Sequence, residues 1–229
     1  MTRSFAGLVT WCSFAFIIHL AAPAAANSII NGSFELPGFP YGPFGLGSGS
    51  TYFPGWIITR DTIDYGADSP WFECADGTYC IDLDGTPGFG GVAQTFPTTV
   101  GSLYRVTFLL SGNAAGGYPE EAVKHLGVSA AGASAEFDFI TDRTSLVQRW
   151  EQHEWLFLAV SPETTIEFYS LDTAEAGYSG LYGPFLDGVV VAAVPEPSPA
   201  ALALVGLALL AARRRGCRTF RRCPTKRCS

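Results

Sequence analysis

Two aspartates separated by one residue, Asp82 and Asp84, form the acidic pair of this sequence whose spacing best suits chemistry. On a β-strand, residues two apart point to the same face. The two carboxyl groups would therefore form a cation site, second to the one considered below at Glu35 and Asp187, or act as a catalytic pair. The alternating acidic positions and distal Glu of a calcium-binding loop are missing. A turn at Asp84-Gly85 explains the same residues, and the sequence leaves these interpretations open.

Aromatic residues near predicted loops are the candidates for binding a carbohydrate. A sugar ring offers C–H patches flanked by hydroxyls, so its site needs exposed aromatic faces beside hydrogen-bonding side chains. The residues that best suit this role are Tyr65, Trp71, Phe72 and Tyr118. The alternative for Trp71 and Phe72 is that they pack against one end of the fold.

Signals for catalysis or nucleotide binding are missing. No serine stands in a Gly-x-Ser-x-Gly turn, and no glycine-rich phosphate loop follows a strand and opens a helix. The sequence therefore predicts a protein that is not an enzyme. Two alternatives remain: a secreted glycoside-active enzyme that uses acids among Asp82, Asp84 and Asp138, and a purely structural or adhesive surface protein.

Charge is distributed unevenly along the chain. The net charge is -7, yet the segment 27–194 holds 5 basic against 20 acidic side chains, a net charge of -15. Nucleic-acid binding rests on neutralising phosphates, so this segment is not expected to bind nucleic acid. A calcium ion or a neutral or cationic partner fits better.

Cysteines divide in the same way, since only Cys74 and Cys80 lie between the two ends of the chain. In an exported protein they are expected to form a disulfide that closes a small loop. Zinc is the alternative, but no second Cys or His pair with ligand spacing accompanies them.

The N-terminus has the order of a signal peptide. Arg3 precedes an apolar run from Phe5 to Leu20 and then Ala24-Ala25-Ala26, so we expect cleavage before Asn27 and a signal peptide over residues 1–26. The alternative is a transmembrane anchor, but the run is shorter than the roughly 20 residues that a spanning helix needs.

The C-terminus combines a rigid motif, an apolar segment and a basic stop within residues 194–215. Pro195, Glu196 and Pro197 precede the apolar run 199–212, and Arg213, Arg214 and Arg215 follow it. A helix of this length spans roughly 21 Å, short of a hydrocarbon core of roughly 30 Å, which favours a transient membrane-anchoring tag over a permanent anchor. The arginines are expected on the cytoplasmic side. A basic tail with three cysteines, 216–229, ends the chain.

Between these ends, the sequence predicts an all-β sandwich or barrel over residues 27–193. Short β-prone runs are separated by turn residues at the spacing typical of such folds. In one run, Tyr104, Val106, Phe108 and Leu110 alternate with polar residues, as a half-buried strand requires. The expected core residues are Phe108, Leu110, Trp155, Phe157, Ile166, Phe168, Val189 and Val191.

Several segments in order carry a resemblance to a known family. They are Asn31-Gly32-Ser33-Phe34-Glu35, Ile81-Asp82-Leu83-Asp84-Gly85, Tyr104-Arg105-Val106-Thr107-Phe108 and Tyr182-Gly183-Pro184-Phe185-Leu186-Asp187-Gly188-Val189. Together they resemble the choice-of-anchor C family and the related plant cell-wall proteins of the domain-of-unknown-function 642 group. The C-terminal segment resembles a PEP-CTERM sorting signal, which an exosortase-type enzyme reads.

The resemblance implies a galactose-binding-like jelly roll that interacts with extracellular polysaccharide at the cell surface or in the matrix. The domain also resembles, in outline, carbohydrate-binding modules in which an N-terminal Glu and a C-terminal Asp share a structural calcium. Glu35 and Asp187 hold those positions here. Gly188 replaces a second Asp of that pattern, so backbone carbonyls and water would have to complete the shell.

Overall fold

The computed structural model describes residues 26–38, 44–67, 73–86, 88–112, 123–141, 148–173, 182–196 and 203–211. These residues form twelve strands. The strands are β1 Phe44–Gly47, β2 Ile57–Arg60, β3 Thr62–Ala67, β4 Tyr79–Asp82, β5 Asp84–Gly85, β6 Gly88–Pro97, β7 Leu103–Gly112, β8 Val123–Ala130, β9 Ala133–Ile140, β10 Glu151–Leu158, β11 Glu163–Ser170 and β12 Pro184–Ala193.

The strands pair into two antiparallel sheets. The first sheet has the order β1-β3-β4-β12-β7-β10, and the second has the order β2-β6-β11-β8-β9, with β5 paired to β6. Sequential neighbours such as β7 and β8 lie in different sheets, so the chain crosses repeatedly between them. The architecture is the jelly-roll sandwich that the sequence predicted.

The core lies between the sheets and follows the alternation read from the sequence. In β7, Tyr104, Val106, Phe108 and Leu110 are buried, while Arg105 faces solvent. The predicted core residues are all buried except Trp155, which is partly exposed and packs against the cluster. Buried aromatic rings supply much of the apolar area that such a core removes from water.

Two strands lie in segments whose composition is typical of loops. β1 lies in the segment 27–55, which is rich in Gly and Pro, and β3 follows Asp61 directly. β3 nevertheless has the alternation of a strand, because Ile63 and Tyr65 are buried and their neighbours Thr62 and Asp64 are half-buried. Polar residues and a glycine within β3 hid this pattern.

The chain divides into two units at Val194, with the sandwich in Ala25–Val194. In the other unit, the described residues include a helix over residues 203–211, whose side chains are mostly exposed. None of the helices in the described part of the chain has the length and apolar character needed to cross a membrane. Pro195 and Glu196 are exposed, whereas Pro197 and Arg213, Arg214 and Arg215 lie outside the described residues.

Candidate functional site

The outer face of the second sheet carries a row of residues that crosses all five strands of its main path. Strand register places Thr59, Gly91, Tyr169, Gly127 and Glu136 side by side. Residues buried in the core flank these positions along the strands, among them Ile58, Val92 and Phe168, so this row points outward. We call it the Tyr169 row.

Glycines on both sides of Tyr169 let its ring lie close to the sheet. A Cβ atom added to Gly127 would overlap the ring of Tyr169. A Cβ atom added to Gly91 would lie 2.6 Å from Thr59 Oγ1 and 3.0 Å from Tyr169 Cβ. Only glycine at these two positions leaves enough space for the Tyr169 side chain.

Arg60, at the end of β2, stacks on the ring of Tyr169. Its guanidinium carbon lies 3.7 Å from the centroid of Tyr169. Arg60 Nε lies 3.1 Å from Glu167 Oε1, and Thr59 Oγ1 donates to the same oxygen at 2.8 Å. The Arg60 side chain is 42% exposed, so it is held at one end and offers donors to solvent at the other.

Further hydrogen-bonding groups surround the Tyr169 row. Thr95 and Thr165 pair through their hydroxyls at 2.7 Å, and His125 Nδ1 lies 2.7 Å from Asp138 Oδ1. Hydroxyl, carboxylate and guanidinium groups thus lie around one aromatic ring on an exposed face. This combination suits a ligand rich in hydroxyls, because each hydroxyl needs both a donor and an acceptor.

Asp82 and Asp84 lie elsewhere, in a buried polar cluster at the end of the sandwich. Asp82 is 1% exposed and Asp84 is 2% exposed. Asp82 Oδ1 accepts hydrogen bonds from the backbone N–H groups of Asp84 at 2.9 Å and Gly183 at 3.0 Å. Burial, the largest cause, raises the pKa of Asp84 to about 7, and the nearby Asp172 carboxylate acts in the same direction.

Glu35 and Asp187 both bind the loop that the disulfide closes. Glu35 Oε1 accepts N–H bonds from Thr78 and Tyr79, each at 2.8 Å. Asp187 Oδ2 accepts from Ala75 at 2.9 Å and Asp76 at 2.8 Å, and its Oδ1 accepts from Gly188 at 2.7 Å. Burial raises the pKa of Asp187 to about 7, against the lowering effect of these N–H bonds.

The described contacts of these two carboxylates supply no oxygen ligands for a shared calcium ion. Oε1 of Glu35 and both carboxylate oxygens of Asp187 accept N–H bonds, whereas calcium requires six to eight oxygen ligands. Within the described ranges, no three Asp, Glu, His or Cys side chains come together as metal ligands. Calcium at Glu35 and Asp187 therefore stays a prediction, and the role that the contacts give this pair is to hold the loop Cys74–Cys80.

The predicted disulfide is present, with the Cα atoms of Cys74 and Cys80 5.5 Å apart. It closes a short loop, so the chain-entropy model gives it about 2 kcal/mol of stability. We expect the double variant Cys74→Ser Cys80→Ser to lose this amount in urea unfolding. A reducing agent should lower the wild-type stability and leave the variant unchanged; equal sensitivity of both would contradict the assignment.

Stability should also depend on pH through Asp84 and Asp187. A carboxyl group whose pKa is raised from 3.8 to about 7 in the folded state is harder to ionise there than in the unfolded chain. Stability is therefore full below pH 3.8 and is lost as the pH rises to about 7, at about 1.4 kcal/mol per pKa unit. Urea unfolding should give a higher free energy at pH 5 than at pH 8.

The exposed variant Asp138→Asn serves as the control for this pH dependence, because the carboxyl of Asp138 lies on the surface beside His125. It should keep the fall in stability between pH 5 and pH 8. A wild-type protein that is equally or more stable at pH 8 would show that neither buried carboxyl group resists ionisation.

One predicted sugar-binding residue, Tyr65, is not available at the surface. Its side chain is fully buried, and its hydroxyl donates to the carbonyl of Phe34 at 2.9 Å. Its ring stacks on Tyr79 and packs edge-on against Phe53. The segment 26–38 covers it through the contact with Phe34. Trp71, Phe72 and Tyr118 lie outside the described residues.

The sequence analysis did not single out Tyr169, Arg60 or Glu167. A signal was present, because Glu167 and Tyr169 alternate with the buried residues Ile166 and Phe168 and must therefore face outward. The contact with Arg60 had no local signal, since it joins residues that are far apart in the chain.

Similar solved structures were found for most of the chain. A TmCBM61 structure in complex with β-1,4-galactotriose is 18% identical, with a TM-score of 0.48, and covers 74% of this chain and 100% of its own. The CBM22-1 xylan-binding domain from Paenibacillus barcinonensis Xyn10C is 11% identical, with a TM-score of 0.40, and covers 77% and 100%. A family 35 carbohydrate binding module from Clostridium thermocellum is 12% identical, with a TM-score of 0.39, and covers 66% and 98%.

No curated protein matches the chain. One family model matches residues 27–192, which is the sandwich that carries the Tyr169 row and the disulfide loop. The chain therefore belongs to the family described as protein of unknown function DUF642.

Proposed function

We propose that this protein is an exported, non-enzymatic module that binds a neutral extracellular polysaccharide through the outer face of its second sheet. The observation that carries the proposal is the Tyr169 row. The partly exposed guanidinium of Arg60 is stacked there on the Tyr169 ring, which rests on Gly127, and it lies beside Thr59, Glu167 and other groups that donate and accept hydrogen bonds. The carbohydrate-binding modules among the similar solved structures suggest the class of ligand to test first.

Charge supports a neutral ligand over an acidic one. The segment 27–194 has a net charge of -15, and the Arg60 side chain is paired with Glu167. A polymer of uronic or phosphate groups would meet repulsion over most of the surface. Hydroxyl groups, in contrast, bind through hydrogen bonds that do not depend on the sign of the field.

Burial supports the non-enzymatic assignment. Asp82 and Asp84 are the acids that suited catalysis best in the sequence, yet their side chains are closed off from solvent. Hydrolysis of a polysaccharide needs two carboxyl groups that flank an accessible bond. Asp138 is exposed, but the side-chain contact that the structure describes for it is with His125 Nδ1 and not with a second acid.

Export and surface attachment are part of the proposal. The signal peptide, the Cys74–Cys80 disulfide and the sorting-like segment after Val194 suit a protein that leaves the cytoplasm. We infer that the chain is a choice-of-anchor C protein whose PEP-CTERM signal is read by an exosortase-type enzyme. Membrane attachment through residues 199–212 would then be transient.

The test is a binding measurement on the purified full chain with a panel of neutral polysaccharides, including galactan, xylan and mannan, and one acidic polysaccharide. We expect saturable binding to at least one neutral polymer and none to the acidic polymer. A second series contains a chelator, and a chelator-dependent fall in melting temperature would support calcium at Glu35 and Asp187. A blank panel would favour the structural or adhesive alternative, whose test is self-association.

A further inference from the structure

Lys124 and Asp172 form a largely buried ion pair between neighbouring strands of the second sheet. Lys124 lies near the start of β8, and Asp172 follows the end of the neighbouring strand β11. Lys124 Nζ lies 3.3 Å from Asp172 Oδ2, and the two side chains are only 14% and 10% exposed. Lys124 Nζ also donates to the backbone carbonyl of Tyr182. The amine and the carboxyl group are therefore held in contact away from bulk water.

A second carboxyl group, that of Asp84, adjoins this pair. Asp84 is almost fully buried, and the charges of both Asp172 and Lys124 act on its carboxyl group. Its Oδ1 atom has no hydrogen-bond partner. Because burial disfavours its charged form, Asp84 remains a proton donor close to neutral pH.

Close packing at two glycines brings these groups together. A Cβ atom on Gly112 would lie 2.9 Å from Lys124 Cγ and 3.0 Å from Phe139 Cδ1. A Cβ atom on Gly183 would lie 2.5 Å from Asp84 Cγ. The aliphatic part of Lys124 therefore packs on the backbone of Gly112 beside the ring of Phe139. In the same way, the backbone of Gly183 packs against Asp84.

We propose that Lys124 and Asp172 condense into an intramolecular isopeptide bond, with Asp84 as the general acid and base. A buried amine in contact with a carboxyl group, beside a third group able to hold a proton, is the arrangement that this condensation needs. The inference rests on this cluster and is independent of the polysaccharide-binding proposal.

The atoms of the condensation balance without a co-reactant. The lysine ammonium gives up a proton to the carboxylate, and its nitrogen lone pair attacks Cγ of Asp172 to form the C–N bond. The C–O bond then breaks, and the oxygen leaves as water after Asp84 supplies a proton. Asp84 takes a proton back from the attacking nitrogen and ends unchanged. One hydrogen of the water comes directly from the ammonium group and the other from Asp84, which the nitrogen then reprotonates, so the net loss is two ammonium protons and no electrons are exchanged with an outside group.

The first experiment is mass spectrometry of the full chain after denaturation and proteolysis. Lys124 and Lys226 are its only lysines, so the amine count is simple. We expect a branched peptide that contains residues 124 and 172 and is lighter than its two linear parts by one water molecule. Recovery of only the linear peptides, with Lys124 open to an amine reagent after prolonged incubation at neutral pH, would overturn the proposal.

Two variants separate the condensation from an ordinary ion pair. Lys124→Arg keeps the charge and should give no branched peptide. Asp84→Asn keeps both reacting groups and should slow formation of the bond by roughly a hundredfold or more, the contribution typical of general acid–base catalysis. A variant Asp84→Asn that forms the bond as fast as the wild type would overturn the role of Asp84.

Discussion

Replacing Tyr169 with alanine should weaken binding to the polysaccharide found in the panel by roughly thirtyfold. Removal of a central aromatic contact costs about 2 kcal/mol in binding interfaces, and each 1.4 kcal/mol corresponds to about a tenfold change in affinity. The ring lies in the middle of the Tyr169 row, so its loss also frees Arg60 from its stacked position. Isothermal titration calorimetry on the full chain measures the change directly.

Two arginine–glutamate pairs among the described residues of the sandwich provide a matched control. Arg60 pairs with Glu167 on the outer face of the second sheet, and Arg105 pairs with Glu154 on that of the first. Arg60→Ala should weaken polysaccharide binding, whereas Arg105→Ala should leave it unchanged. If both arginine variants bind like the wild type and Tyr169→Ala does too, the second sheet does not carry the site.

Replacing Phe108 with alanine should destabilise the sandwich by about 3 to 5 kcal/mol, the usual cost of removing a large buried aromatic side chain. The ring is almost fully buried, and its centroid lies 5.2 Å from that of Phe168 and 5.1 Å from that of Phe137. The cavity would adjoin both sheets, since Phe108 lies in β7 and Phe168 in β11. Urea unfolding of wild type and variant at pH 5 gives the difference.

Phe108→Leu is the milder comparison, because it keeps an apolar side chain in the same place. Its loss of stability should be smaller than that of Phe108→Ala. A loss below about 1 kcal/mol for Phe108→Ala would mean that the surrounding side chains close the cavity, and that the contact between the sheets does not depend on this ring.

Alternation predicted the sandwich because burial in a strand depends on nearest neighbours in the chain. Val106 and Phe108 point inward and Arg105 points outward, as their spacing of two requires. Pairing order was not predictable in this way. That β12 lies between β4 and β7 depends on contacts between residues that are far apart in sequence.

The candidate site was harder to predict, because exposure depends on which segment covers a residue. Tyr65 looked available for binding near a predicted loop, yet the segment around Phe34 folds over it. Tyr169 looked ordinary on its strand, and Arg60 reaches it only after β2, β6 and β11 have paired. The disulfide was predictable since it joins the two cysteines between the chain ends, which lie only six positions apart.

The last strand of the sandwich lies in the interior of its sheet. The sheet therefore cannot be completed before this strand is present. β12 joins β4 to β7, and the first residues after the predicted cleavage site also pair with it, through Ser28 N to Val191 O at 2.6 Å. A chain that enters a translocation pore N-terminus first cannot complete this sheet until residues 184–193 have followed. The sandwich is therefore expected to close only after almost all of the segment 27–193 is available, because the pairing partners of β4 and β7 lie at its C-terminal end.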